Sequence, residues 1–122
     1  MKLLMQCLFV GAGGFVGAIA RFLVALFCGR FFGTAFPIGT MVINVSGSML
    51  LGWLSKRVVA PDHRYLALAV GFVGAYTTFS TYMYESNSLL RDGAGIKATA
   101  NLIGSLMLGL IAVKVGIWLG GK

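Results

Sequence analysis

Residues 71–82 read Gly71-Phe72-Val73-Gly74-Ala75-Tyr76-Thr77-Thr78-Phe79-Ser80-Thr81-Tyr82, and Glu85 follows directly. The run lies inside an apolar region long enough to cross a membrane. Yet it combines glycines, the hydroxyls of Thr77, Thr78, Ser80 and Thr81, and aromatic rings. A helix that only faces lipid has no use for such a mixture. Polar groups and loosened backbone at membrane depth are tolerated only where protein or a water-filled path covers them. The stretch is therefore expected to line a route through the membrane.

Working outward, the composition agrees with a membrane setting. The 122 residues are 58% hydrophobic and 11% charged, and the mean hydropathy is +0.90. A soluble domain would be closer to half apolar and a quarter charged. The same figures exclude intrinsic disorder. No long polar segment is present to build a soluble domain, so residues 1–122 read as a single transmembrane domain. The first residues carry a charged start and an apolar run, but that run continues past the usual core of a cleaved signal.

Four spans emerge at the bilayer's required length of about 20 residues. They run from about Leu3 to Cys28, Ile38 to Leu54, Tyr65 to Leu90, and Ile96 to Val113 or a little beyond. Pro37 and Pro61 fall in linkers, where a missing N–H costs least. Asp92-Gly93 signals a turn between the last two spans. Short linkers make consecutive spans antiparallel neighbours. The fold class is thus an all-α membrane protein of four helices.

The formal charge is +7. The basic residues are scattered singly at span borders and form no patch, so no nucleic-acid partner is expected. With four spans, Lys2, Lys56, Arg57, Arg64 and Lys122 share one side, and Arg30, Arg91 and Lys97 the other. That bias is weak under the positive-inside rule. It is compatible with one fixed topology and with dual insertion alike. Cys7 and Cys28 fall on one helix about 30 Å apart, too far for a disulfide within one chain.

Small and polar residues recur four apart. The first span has Gly13, Gly17 and Arg21 on one face. The second has Thr40, Asn44, Ser48 and Gly52, and the fourth has Asn101, Ser105 and Gly109. Such faces let helices approach closely. Arg21 either snorkels to the surface or holds positive potential in a vestibule. Asn44 is either interhelical glue, worth about 0.6 kcal/mol, or a donor facing an anion. Phe79, Tyr82 and Glu85 share one broad face of the third span. Glu85 is a functional candidate by default, or a carboxylate near the interface. Lys114 lies off the polar stripe of the fourth span and reads as snorkelling near its far end. His63 is the sole histidine, in a linker, and no catalytic constellation or nucleotide fingerprint is present. An enzyme is not expected.

Together the segments Gly13–Arg21, Gly39–Asn44, Gly71–Tyr82 with Glu85, and Gly104-Ser105 resemble the Fluc (CrcB-type) fluoride channels. The resemblance covers nearly the whole chain, and Thr77-Thr78-Phe79-Ser80-Thr81 is its most specific part. It implies a passive fluoride channel in the cell membrane that releases cytoplasmic fluoride down its electrochemical gradient and so confers resistance. It implies an antiparallel, dual-topology homodimer, with a heterodimer of paralogues as the other option, and a pair of parallel pores. It implies a broken third helix whose Gly74 and Thr77 backbone carbonyls hold a structural Na⁺ at the dimer centre. By the same resemblance Asn44, Phe79 and Tyr82 line the pore, with Thr78, Ser80 and Ser105 as further polar lining. Arg21 matches a vestibule arginine and Glu85 the polar pore end. The family usually has phenylalanine where this chain has Tyr82, whose hydroxyl would donate to fluoride, trap it, or narrow the pore. The rival class is a small dual-topology, proton-coupled multidrug exporter. It needs an acid in its first span, and this first span has none.

Overall fold

The structure is a computed structural model that describes residues 2–60 and 62–122; Pro61, expected in a linker, lies outside them. Its regular structure is helical throughout. Four helical stretches are long and apolar enough to cross a membrane: Lys2–Phe32, Ile38–Arg57, His63–Arg91 and Gly95–Gly120. The first two are single helices, α1 (Lys2–Phe32) and α2 (Ile38–Arg57). The third is composite. It comprises α3 (His63–Tyr65), a π-helical segment (Leu66–Val73), α4 (Gly74–Tyr76) and α5 (Phe79–Arg91). The fourth is α6 (Gly95–Gly120).

The helices outrun the spans expected from hydropathy. α1 continues past Cys28 to Phe32 and stops where Gly33 adopts φ +72°, its N–H bonded to the Gly29 carbonyl at 3.0 Å. Only glycine takes that conformation without steric cost. α6 continues past Val113 to Gly120, so Lys114 sits well before its end. At that end Lys122 Nζ lies 3.5 Å from the centre of the Trp118 ring. The turn at Asp92-Gly93 is present, with Gly93 at φ +75° and the Ala94 N–H bonded to the Leu89 carbonyl at 2.8 Å.

Two pairs of elements pack most closely: α2 on α6, and α1 on the π segment. Both depend on absent side chains. A Cβ on Gly13 would strike the Ala67 carbonyl, and one on Gly17 the Phe72 carbonyl. On the other pair, a Cβ on Gly116 would strike the backbone of Met49, and one on Gly52 that of Val113. Without a hydrophobic force between helices in lipid, such close approach is what van der Waals packing requires. The remaining apolar surface points outward. Phe15, Phe22 and Phe27 on α1, and Leu106, Leu110 and Trp118 on α6, are exposed.

Overpacking of this kind costs about 1–3 kcal/mol. Gly17→Val is expected to lower the melting temperature in detergent, whereas Gly11→Val, a position with open space around it, leaves it unchanged.

Candidate functional site

The third span is not helical throughout. Thr77 (φ −80°, ψ 157°) and Thr78 (φ −150°, ψ 120°) are extended between α4 and α5. Extended backbone at membrane depth exposes N–H and C=O groups that must find partners. Asn44 on α2 supplies both for Thr78. Its Nδ2 donates to the Thr78 carbonyl at 2.9 Å, and its Oδ1 accepts from the Thr78 N–H at 2.8 Å. Thr78 also caps α5, its Oγ1 accepting from the Thr81 N–H at 3.2 Å. On the α4 side, the Thr77 hydroxyl donates to the Val73 carbonyl at 2.9 Å, and the Tyr76 and Ser46 hydroxyls are 2.9 Å apart.

Beside this interruption lies a cavity of about 390 Å³, lined by α2, α6 and residues 73–82 and open to the surface of the molecule where Phe79, Leu106 and Leu110 are exposed. Asn44, Thr78, Phe79, Tyr82 and Ser105 all contribute to it, as does Thr77. Its remaining wall is mostly apolar, with Leu51, Leu106, Leu110 and Val113. The ring of Phe79 stands edge-on to that of Tyr82, centroids 6.1 Å apart at 64°. Ring edges are weakly positive. The Tyr82 hydroxyl donates to the Leu102 carbonyl on α6, so its hydrogen is already spent. Of the three roles its sequence suggested, donation to a permeant ion is therefore not what this geometry offers.

A second cavity of about 330 Å³ lies where α2 begins and α5 ends, lined among others by Thr40, Glu85, Ser88 and Asp92. There Thr40 Oγ1 donates to Glu85 Oε1 at 2.9 Å, while the buried Oε2 has no partner among the described residues.

Three expected site residues stand apart from both cavities. Arg21 is half-buried on α1 and makes no ion pair among the described residues. Ser80 is exposed, its hydroxyl 3.3 Å from that of Thr78. Gly74 is exposed, with open space where a side chain would be. Sequence reasoning missed Ser86 and undervalued Asn101, both buried between α5 and α6 with a bond of 2.9 Å from Asn101 Nδ2 to Ser86 Oγ. The four-residue step from Asn101 to Ser105 was the available signal; the link to Ser86 joins two helices.

Residues 8–117 match the family described as CrcB-like protein, Camphor Resistance (CrcB). The chain belongs to the CrcB family. Among its CrcB relatives, the "Fluoride-specific ion channel FluC" of Chlorobium phaeobacteroides is 50% identical over 117 residues, covering 92% of this chain and 90% of the relative. The protein of the same name from Prosthecochloris aestuarii is 46% identical, covering 90% and 88%. The "Fluoride-specific ion channel FluC 2" of Moorella thermoacetica is 44% identical, covering 94% and 95%. A CrcB chain with four spanning helices is a multi-pass membrane protein.

Two outcomes follow for this CrcB site. Asn44→Ala should be strongly destabilising, because it strands both the N–H and the C=O of Thr78 at about 1–3 kcal/mol each; thermal unfolding in detergent measures it. Tyr82→Phe loses one hydrogen bond, about 1 kcal/mol, and is expected to retain any ion flux, since the hydroxyl hydrogen is held by the Leu102 carbonyl.

Proposed function

We propose that this protein is a passive, fluoride-selective channel in the cell membrane that releases cytoplasmic fluoride down its electrochemical gradient and so confers fluoride resistance. The observation that carries this is the cavity beside the Thr77-Thr78 interruption. It brings Asn44, Thr78, Ser105 and the rings of Phe79 and Tyr82 together among side chains that are otherwise mostly apolar. Fluoride is small and strongly hydrated, so a selective path must replace its water with close donors. No acid or base is needed for passive conduction, in keeping with a family of channels and not of enzymes. The names of the relatives support the same ion.

The working unit is an antiparallel, dual-topology homodimer with paired pores, a paralogue being an alternative partner. Three features support a second copy at the interruption. Gly74 is exposed, space is open around it, and the charge bias between the two sides is weak. The carbonyls of Gly74 and Thr77 also fit a monovalent cation. In a continuous helix Gly74 would receive the Thr78 N–H, but that group donates to Asn44. Thr77 would receive the Thr81 N–H, but that group donates to Thr78 Oγ1. Both oxygens thereby lose their helical donors. Interrupted membrane helices commonly offer such carbonyls to Na⁺. A cation held there would take up carbonyl oxygens left without helical donors and tie the copies together. Arg21 serves as a vestibule charge, and Glu85 with Thr40 forms the polar end of the path.

Purified protein in liposomes is expected to release fluoride far faster than chloride; equal release of both ions would overturn the reading. Asn44→Asp places a negative charge beside the Thr78 carbonyl and should abolish fluoride efflux. Replacing Na⁺ by a bulky organic cation over a prolonged incubation should slow efflux or dissociate the dimer, and unchanged flux with an intact dimer would remove the cation from the account.

A further inference from the structure

Four polar groups between α5 and α6 form a chain whose direction is forced. The Tyr82 carbonyl can only accept, so Ser86 Oγ spends its one hydrogen there, at 2.7 Å. Ser86 Oγ must then accept from Asn101, which turns its Nδ2 toward Ser86 at 2.9 Å. That leaves Asn101 Oδ1, a pure acceptor, facing Ser105. Ser105 Oγ therefore donates to it at 3.3 Å. The result bears on the cavity. Ser105 lines it, but its hydrogen points away, toward Asn101, and the oxygen shows the cavity its lone pairs. Asn101 itself is 1% exposed and does not line the cavity, and nor does Ser86.

We propose that Asn101 is a positioning residue for anion selectivity: it holds the Ser105 hydrogen off the ion path, so that only a strongly accepting anion draws that hydrogen into the cavity. Drawing it off leaves a buried Asn101 oxygen unpartnered, which is costly. Fluoride, compact and of high charge density, accepts charge-assisted hydrogen bonds strongly enough to offset that loss. Chloride, larger and a weaker acceptor, does not. The inference rests on the channel reading above and adds to it a residue that never touches the ion.

The test is fluoride and chloride efflux from liposomes with Asn101→Leu and, separately, Ser86→Ala, each also made in a Ser105→Ala background. Asn101→Leu removes the side-chain acceptor that holds the Ser105 hydrogen. Ser86→Ala removes the group that fixes the Asn101 amide. Each is expected to lower the fluoride-to-chloride ratio about tenfold, the order set by one unpartnered buried acceptor, without lowering fluoride flux. In the Ser105→Ala background neither should change the ratio further, because the hydrogen in question is gone. An unchanged ratio in well-assembled variants, or an equal fall in the Ser105→Ala background, would overturn the proposal. So would failure of both variants to assemble, which would make the network a folding device only. Wild-type protein that passes no fluoride would sink the channel reading itself, and this inference with it, before any variant is compared.

Discussion

The architecture depends on the two hydrogen bonds that join Asn44 to Thr78. An extended residue at membrane depth leaves backbone groups without helical partners, at about 1–3 kcal/mol for each one stranded. One primary amide is the smallest side chain that offers a donor and an acceptor together. It makes the Thr78 backbone part of α2 in all but covalent connection. The rest of the polar contacts then follow from spacing. One turn from Asn44, Thr40 meets Glu85, and two residues beyond Asn44, Ser46 meets Tyr76. α2 therefore acts as a rack on which both halves of the third span are hung in fixed register.

Two kinds of cohesion share the molecule. The pairs α1 with the π segment, and α2 with α6, come together through glycines that let backbones touch. α5 touches α6 less extensively and α2 hardly at all. It is held instead by polar groups, namely the Asn44 pair, Thr40 to Glu85, Tyr82 to Leu102, and the chain through Ser86 and Asn101. Interhelical hydrogen bonds in membranes are individually modest. Here they are many and concentrated on the one helix that carries the aromatic pair.

The four spans were legible because length and hydropathy survive any detail of packing. The Asp92-Gly93 turn was legible because it obeys a local rule. The span ends were not, because a helix continues past the apolar core wherever nothing local stops it: Gly33 stops α1, but Lys114 does not stop α6. The π segment Leu66–Val73 is uniformly apolar and carries no periodicity to betray its wider winding. At the site, Asn44, Thr78, Phe79, Tyr82 and Ser105 were found by pattern and resemblance, and they do share one cavity. Which way their polar atoms point was not legible. The Tyr82 hydroxyl goes to a backbone carbonyl on another helix, and no sequence motif marks a carbonyl as a partner. Ser86 and Asn101 meet only once α5 and α6 fold back on each other.

Fastening α5 by hydrogen bonds has a mechanical consequence. Dispersion contacts between packed apolar faces weaken gradually and re-form after a slide. A hydrogen bond keeps its strength over only a few tenths of an ångström and a limited range of angles, and in lipid no solvent softens its loss. The helix therefore resists small displacements stiffly and has no comfortable intermediate position. Most of its bonds have separate partners; only along Ser86, Asn101 and Ser105 does the failure of one loosen the next. Phe79 and Tyr82, the residues α5 contributes to the cavity wall, are thereby held in place against α2 and α6.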